Sequence, residues 1–490
     1  MPCQLPADCL NEIFEYLDDK KTLHSLLLVN RLYCKISVRI LWRNIWNIRY
    51  TIARKHQPRV MSTILSTLVA CLPDESKELL FKLGIFISTP TLKPPLFNYP
   101  ALCKVLSINE ICQIIHSVLE KIPNTSLLDK KDRNCLIVNE IIKMFITQIS
   151  SLKELIFYDK IYNIRPNDIS FTCFSGEIND CLKDLSELHC SSNLPSEFFN
   201  QLSKICHNLR SLNIIMNYES SDDLENSKIL NELKKLISLQ NNLKNLELSA
   251  SHGGDWTNII PALTKHSNTL TKLHINSGYD DSLPISFIAL FSTLQEIKFS
   301  YTTRTFGEKQ FKDFNKLEYA NFPKLQYLSI PYNCARPEYI IKFLENNGKN
   351  LKNFYIEEVD RALNLSIAKF CPNLKKLSLV FNNDELDTLR IILNSCHYLE
   401  SIKTRCGEKF LNEKEVLETV AKYSPKNFCE LKICYYSNSE LLPEDLESFF
   451  INWKNRASKT LFTLIIFKKH INKYINLKVS LRNLKLKLEI

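Results

Sequence analysis

Glycine is scarce in this chain, with eight in 490 residues. The one adjacent pair is Gly253-Gly254. Neither a P-loop nor a G-x-G-x-x-G can be written, so nucleotide binding through a glycine-rich phosphate cradle is excluded. The ten histidines are dispersed, and H-E-x-x-H is missing. His207 and His397 occupy one slot of two similar segments, which reads as a turn position rather than a ligand pair. The 17 cysteines are odd in number and include no C-x-x-C. That argues against a disulfide framework or a zinc site and for reduced, mostly buried thiols. Cys434, beside Tyr435-Tyr436, reads as packing rather than as a nucleophile. The expectation is a chain with no catalytic residues, no metal and no cofactor, and not an enzyme.

Long apolar runs are also missing. No stretch of 18 apolar residues occurs, and no basic segment leads into an apolar one near the start. Neither membrane insertion nor export is indicated, and the expected location is cytoplasmic, nuclear or both. The sequons at Asn124 and Asn364 are then chance occurrences.

What the chain has in quantity is leucine at regular spacing. From residue 152 the pattern L-x-x-L-x-L, with apolar substitutions, starts at Leu152, Leu185, Leu209, Leu243, Leu270, Leu294, Leu325, Leu351, Leu374, Leu399, Phe428 and Leu461. Successive starts lie 23 to 34 residues apart. The copy at Leu399 is weak, with Thr404 in its third slot, which leaves the count open. Asn193, Asn217, Asn333 and Asn382 each fall eight residues after a start, and Cys206, Cys371 and Cys396 each fall three residues before one. Between strands the sequence reads as helix, as over Glu338 to Glu345, where Tyr339, Ile340, Phe343 and Leu344 form one stripe before Asn346-Asn347-Gly348 ends it.

This pattern resembles the leucine-rich repeat, in its cysteine-containing subclass. The resemblance implies a curved α/β solenoid over 149–490, of about twelve units, whose neighbours stack into one core. It implies that the repeat Asn bonds backbone groups of adjacent turns. It also implies that the non-leucine strand positions face the concave surface. Those positions are Asn245, Glu247, Lys272, His274, Glu296, Lys298, Tyr327, Tyr355, Lys376, Lys403, Arg405, Glu430 and Lys432. Mixed charge with aromatic anchors suits a protein target. The nine of greatest interest are Lys272, His274, Lys298, Tyr327, Tyr355, Lys376, Lys403, Arg405 and Lys432.

The first 42 residues carry a second pattern. Leu5-Pro6 precedes Leu10, Ile13, Phe14 and Leu17 at helical spacing. Pro6 and Asp8 suit a helix start, and Asp18-Asp19 interrupts the stripe. Leu23, Leu26, Leu27 and Val29 form a second stripe; Ile36, Ile40 and Leu41, closed by Trp42, form a third. Three such helices are too few to bury a good core alone. The arrangement, assigned to 1–48, resembles an F-box, with Tyr33 where that family often has Trp. The resemblance implies docking to a Skp-type adaptor, and through it a cullin, by Leu5, Pro6, Leu10, Ile13, Phe14, Leu17, Val29, Leu41 and Trp42.

Residues 49–148 read as a helical spacer covering the start of the repeats. Ser107 and Glu110 make a capping-box pair, with Ile111, Ile114, Ile115, Val118, Leu119 and Ile122 on one face, and a second helix runs from about Leu136 to Ile149. Leu80, Leu83 and Ile85 fit the strand pattern, an early degenerate repeat.

Net charge is +10, yet 451–490 hold ten Lys or Arg against Glu489 alone. Leu484, Leu486, Leu488 and Ile490 alternate with charged residues, the period of a half-buried strand. A basic strand capping the C-terminal edge, protected by its charges, is favoured over attraction of an acidic partner. The expected fold class is α/β: a three-helix head, a helical spacer and a repeat solenoid. The function it implies is the target-recognition subunit of an SCF-type ubiquitin ligase. The alternatives are a non-degradative scaffold and, further off, a repeat-based nucleic-acid binder.

Overall fold

A computed structural model describes residues 5–489 except 18, 90–94, 122, 124–125, 160–163, 165, 171–180, 218–222, 252–253, 278–282, 302–312, 333, 436–440, 457–461, 471–472 and 481–486; at 49, 167, 223, 251, 301 and beyond 467 only backbone is described. The chain is mixed α/β and divides into two compact units, Met1–Leu243 and Lys244–Ile490. That boundary falls inside the repeat. No helix among the described residues is long and apolar enough to cross a membrane.

The first unit opens with helices α1 (Ala7–Glu15), α2 (Lys20–Leu26), α3 (Arg31–Arg43), α4 (Gln57–Ala70), α5 (Asp74–Lys82) and α6 (Tyr99–Leu102). Strand β1 (Val105–Ser107) and helices α7 (Ile108–Leu119) and α8 (Lys130–Gln148) follow. Then come β2 (Glu154–Phe157), β3 (Glu187–Ser191), α9 (Ser196–Ile205), β4 (Ser211–Asn217) and α10 (Asp223–Ser238). The four strands are parallel and paired in chain order, with Leu106, Leu155, Leu188 and Leu212 in one register column.

Sheet formation therefore starts inside the segment read as spacer, at β1. It does not start at Leu80. Leu80 belongs to α5, Gly84 takes φ 71°, Ile85 N–H donates to Leu80 O at 2.9 Å, and Gly84 N–H to Phe81 O at 3.0 Å. Those paired bonds are a Schellman helix end, in which glycine supplies the left-handed residue and flanking apolar residues meet across the turn. Leu80, Leu83 and Ile85 thus mimic strand spacing while ending a helix. Ser107 caps α7 by accepting from Glu110 N–H at 3.2 Å, and the Glu110 carboxylate accepts from the Tyr50 hydroxyl at 2.6 Å. Ile111, Ile114, Ile115 and Leu119 are buried as the stripe requires, Val118 is partly buried, and Ile122 lies outside the described residues.

In the second unit, β5 (Asn245–Ser251), α11 (Ile260–Leu263), β6 (Lys272–Ser277), β7 (Glu296–Tyr301) and β8 (Tyr327–Ile330) come first. After these come α12 (Pro337–Asn347), β9 (Asn353–Ile356), α13 (Arg361–Phe370), β10 (Lys376–Ser378), α14 (Leu386–Ser395), β11 (Ser401–Arg405), α15 (Glu413–Tyr423) and β12 (Glu430–Tyr435). The unit closes with α16 (Pro443–Lys454), β13 (Thr463–His470), β14 (Lys473–Ser480) and β15 (Lys487–Glu489). Strands β5 to β13 are parallel neighbours in order, and β14 and β15 add antiparallel. Of the C-terminal alternation, Leu484, Leu486 and Ile490 lie outside the described residues, and Leu488 is in β15.

Each of the twelve repeat starts is followed, two residues later, by the first residue of a strand. The second apolar position forms one column, Leu246, Leu273, Ile297, Leu328, Phe354, Leu377, Ile402, Leu431 and Leu464, all at most 2% exposed. Burying such a side chain stabilises by about 1.5–3 kcal/mol. Thr404 keeps its slot: it is buried within β11, and the weak copy is a regular unit.

Helices back only some repeats. Between β6 and β7 the described backing is a 3₁₀ turn at Ser286–Leu290, and between β7 and β8 another at Phe314–Leu317. Phe291 and Phe314, both buried, then fill the space that a helix stripe would occupy.

The repeat asparagines behave differently from the resemblance. Asn193 Nδ2 donates to Asp159 at 3.1 Å, Asn217 Nδ2 to Asn193 Oδ1 at 3.3 Å, and Asn382 Nδ2 to Glu385 at 2.9 Å. For Asn193 and Asn382 the acceptor is a carboxylate standing in the turn, and an ionised acceptor outcompetes a carbonyl. Asn333 lies outside the described residues. Buried Glu385 accepts from Asn382 N–H, Asn382 Nδ2 and Asn364 Nδ2, which offsets the cost of taking a carboxylate from water. The cysteine column is inert: Cys206 and Cys396 are pushed up to about 12 by burial, and Cys371 is raised too. Cys206 S–H points at Leu182 O, and Cys396 S–H at Cys371 O, each at 3.5 Å.

Candidate functional site

Two surfaces carry the residues that the sequence singles out. The first is the head. Pro6 stands at the N-cap of α1, Asp19 caps α2 by accepting from Lys21 and Thr22 N–H at 3.0 and 3.2 Å, and Asn30 caps α3 by accepting from Tyr33 N–H at 2.9 Å. Leu10, Phe14, Leu23 and Ile36 make the core of the three helices, with Leu17, Leu26, Leu32, Tyr33, Ile40 and Leu41 packed against it. Phe14 meets Tyr33 edge-on, with centroids 5.2 Å apart. Arg43 clasps the Glu15 carboxylate with both terminal nitrogens, tying α3 to α1.

That packing divides the nine expected docking residues. Leu10 and Phe14 are internal, Leu17 and Leu41 are partly covered by the same core, and Pro6 is exposed with Leu5, Ile13 and Val29. Trp42 stacks on Tyr99, centroids 4.4 Å apart and rings 30° from parallel, and so anchors α3 to α6. Two large apolar side chains join the exposed set without having been expected: Tyr16 at 82% and Leu28 at 87% exposed, beside Leu5 at 50%, Ile13 at 48% and Val29 at 57%. Their signal in the sequence is weak. Leu28 sits inside the apolar run 26–29, where composition does not separate an exposed residue from a buried one.

The second surface is the polar face of the strands. In the second unit, Glu296 is reached by His274 Nε2 at 2.8 Å and by Lys272 Nζ at 3.5 Å. Tyr327 and Tyr355 lie 5.2 Å apart, and burial raises the pKa of both phenols. Lys432 pairs with Glu430 at 2.6 Å, and Ser401 donates to the same carboxylate at 2.8 Å. Arg405 reaches past one strand to Glu357 at 3.2 Å, a partner that sequence spacing does not reveal. Asn245, Glu247 and Lys298 are partly buried along the same positions, while Lys376 and Lys403 stand exposed. In the first unit, the same kind of position holds Glu154, Glu187 and His189, a cluster that the sequence hides because its members are 33 and 35 residues apart.

No family model and no curated protein matches the chain. Among solved structures, the leucine-rich repeat-containing protein LegL7 from Legionella pneumophila is similar at 13% identity and a TM-score of 0.33, over 56% of this chain and 91% of that one. A likeness of that size carries no argument about function.

Proposed function

We propose that the chain is the target-recognition subunit of an SCF-type ubiquitin ligase, a leucine-rich-repeat protein whose F-box-like head docks a Skp-type adaptor and, through it, a cullin. The observation that carries this reading is the exposed apolar set on the head. Leu5, Ile13, Tyr16, Leu28 and Val29 lie within 25 residues and are each about half exposed or more. Exposed apolar side chains in this number on one small head suit a protein-binding surface, and they occur where the sequence resembles an F-box. Leu10 and Phe14 shape the head, and the exposed set makes the contact.

The strand face then holds the target. The Tyr327–Tyr355 pair supplies the aromatic anchor of an interface, and Lys376 and Lys403 supply its rim. The chain performs no chemistry itself. Tethering a target beside a charged conjugating enzyme raises the effective concentration of its lysines.

Adaptor binding by the purified full chain tests this. Ile13→Asp together with Val29→Asp alters exposed positions and is expected to abolish a stoichiometric complex while circular dichroism stays unchanged. Undiminished binding by that variant, or no binding by folded wild type, sinks the reading.

A further inference from the structure

We propose that Glu154, Glu187 and His189 form a site for one divalent transition-metal ion, with Zn²⁺ the best match. Strands β2 and β3 are parallel, with Glu154 opposite Glu187 and Ile156 opposite His189. Alternation along a strand puts all three side chains on one face. One ligand atom from each lies within 4.8 Å of the others, and His189 Nε2 is 3.6 Å from Glu154 Oε1. That last separation is too long for a hydrogen bond. Around an ion with bonds of about 2.0–2.2 Å the same atoms need to close by only about 1 Å.

The charges point the same way. Like charges directly opposite on neighbouring strands are destabilising. Glu154 and Glu187 stand in that relation across β2 and β3. The second unit supplies an internal comparison. There Lys272 and His274 hold on β6 the positions that Glu187 and His189 hold on β3, with the partner glutamate, Glu296, on the following rather than the preceding strand, so a lysine ammonium stands where this cluster has its second carboxylate. A dication restores in the first unit the positive charge that Lys272 provides in the second.

A further donor adjoins the cluster. Asn213 is opposite His189 on β4, and its Oδ1 is buried without a hydrogen-bond partner. A mixed imidazole and carboxylate set suits Zn²⁺, whereas Mg²⁺ and Ca²⁺ favour oxygen alone. Cys190 points to the opposite face, fully buried, and is not part of the set. The site is independent of adaptor docking and would staple β2 to β3.

Calorimetric titration of the chelator-treated full chain with ZnCl₂ tests it, with Co²⁺ absorption as the second readout. The expected result is one ion per chain, weakened at least about tenfold by His189→Ala and by Glu187→Lys, and unchanged by His274→Ala. MgCl₂ is expected not to compete. Three results overturn the proposal: no Zn²⁺ binding by folded wild type, equal binding by both cluster variants, or a thiolate charge-transfer band with Co²⁺, which would move the ion to cysteine. Glu187 is exposed and His189 partly exposed, so both variants are expected to keep the fold, which circular dichroism verifies.

Discussion

Cys371 Sγ occupies the space that a side chain on Gly348 would need. A Cβ built at Gly348 would lie 2.8 Å from that sulfur and 2.8 Å from the Phe370 carbonyl oxygen. Gly348 and Cys371 hold the same position in successive repeats, three residues before Leu351 and Leu374. The sulfur column of Cys371 and Cys396 therefore begins where a repeat gives up its side chain.

Gly348→Ala is expected to destabilise the chain by about 1–3 kcal/mol, the range for overpacking a dense core. Backbone strain adds nothing, since Gly348 has an ordinary helical φ of −64°. Adding Cys371→Ala should recover only part of the loss, because the carbonyl of Phe370 remains in the way. The midpoint of urea unfolding for the single and double variants measures both effects. Full rescue by the second substitution would assign the whole clash to sulfur.

Glu15 and Arg43 give a pH-dependent prediction. The paired hydrogen bonds from Arg43, reinforced by its charge, hold the Glu15 carboxyl below its ordinary 4.5 despite partial burial. A depressed carboxyl contributes stability that is present above its unfolded value and disappears as pH falls through the folded one. Side-chain exposures of 43% for Arg43 and 27% for Glu15 mean that solvent screens the pair, which limits its worth to about 1 kcal/mol or less. Glu15→Gln should therefore lower the melting temperature near neutral pH, by a gap that closes as pH falls through the depressed value of the folded carboxyl. A gap that persists in acid would assign the loss to packing rather than charge.

The strands were legible because two leucines three residues apart, followed by a third after two more, suit a buried strand whatever backs it. Leu152 through Phe428 announce their strands in that way, and even Thr404 is carried along by its neighbours. The backing was not legible, since Ser286–Leu290 has an apolar composition that fits a helix turn or a 3₁₀ turn equally. Leu80, Leu83 and Ile85 misled for the same reason, and only the conformation of Gly84 separates a helix end from a strand. In the head, helical spacing located the stripes but could not say which apolar residue faces inward. Phe14 and Ile13 are adjacent in sequence, and one is core while the other is surface. The Glu154, Glu187 and His189 cluster exists only after two strands pair.

Trp42 separates a packing role from a docking role. The F-box resemblance makes it a contact for the adaptor, whereas its ring lies against Tyr99. Aromatic pairs contribute about 0.5–1.5 kcal/mol beyond the area that they bury. Trp42→Ala is expected to lower the melting temperature, and Tyr99→Ala to lower it similarly. The double variant should lose less than the two singles summed, since both remove one contact. Adaptor affinity, measured well below the melting temperature, should stay within about twofold of wild type, a change of about 0.4 kcal/mol. A large loss of affinity with an unchanged melting temperature would instead place Trp42 at the interface, and the exposed set of Leu5, Ile13, Tyr16, Leu28 and Val29 would then be only part of the docking surface.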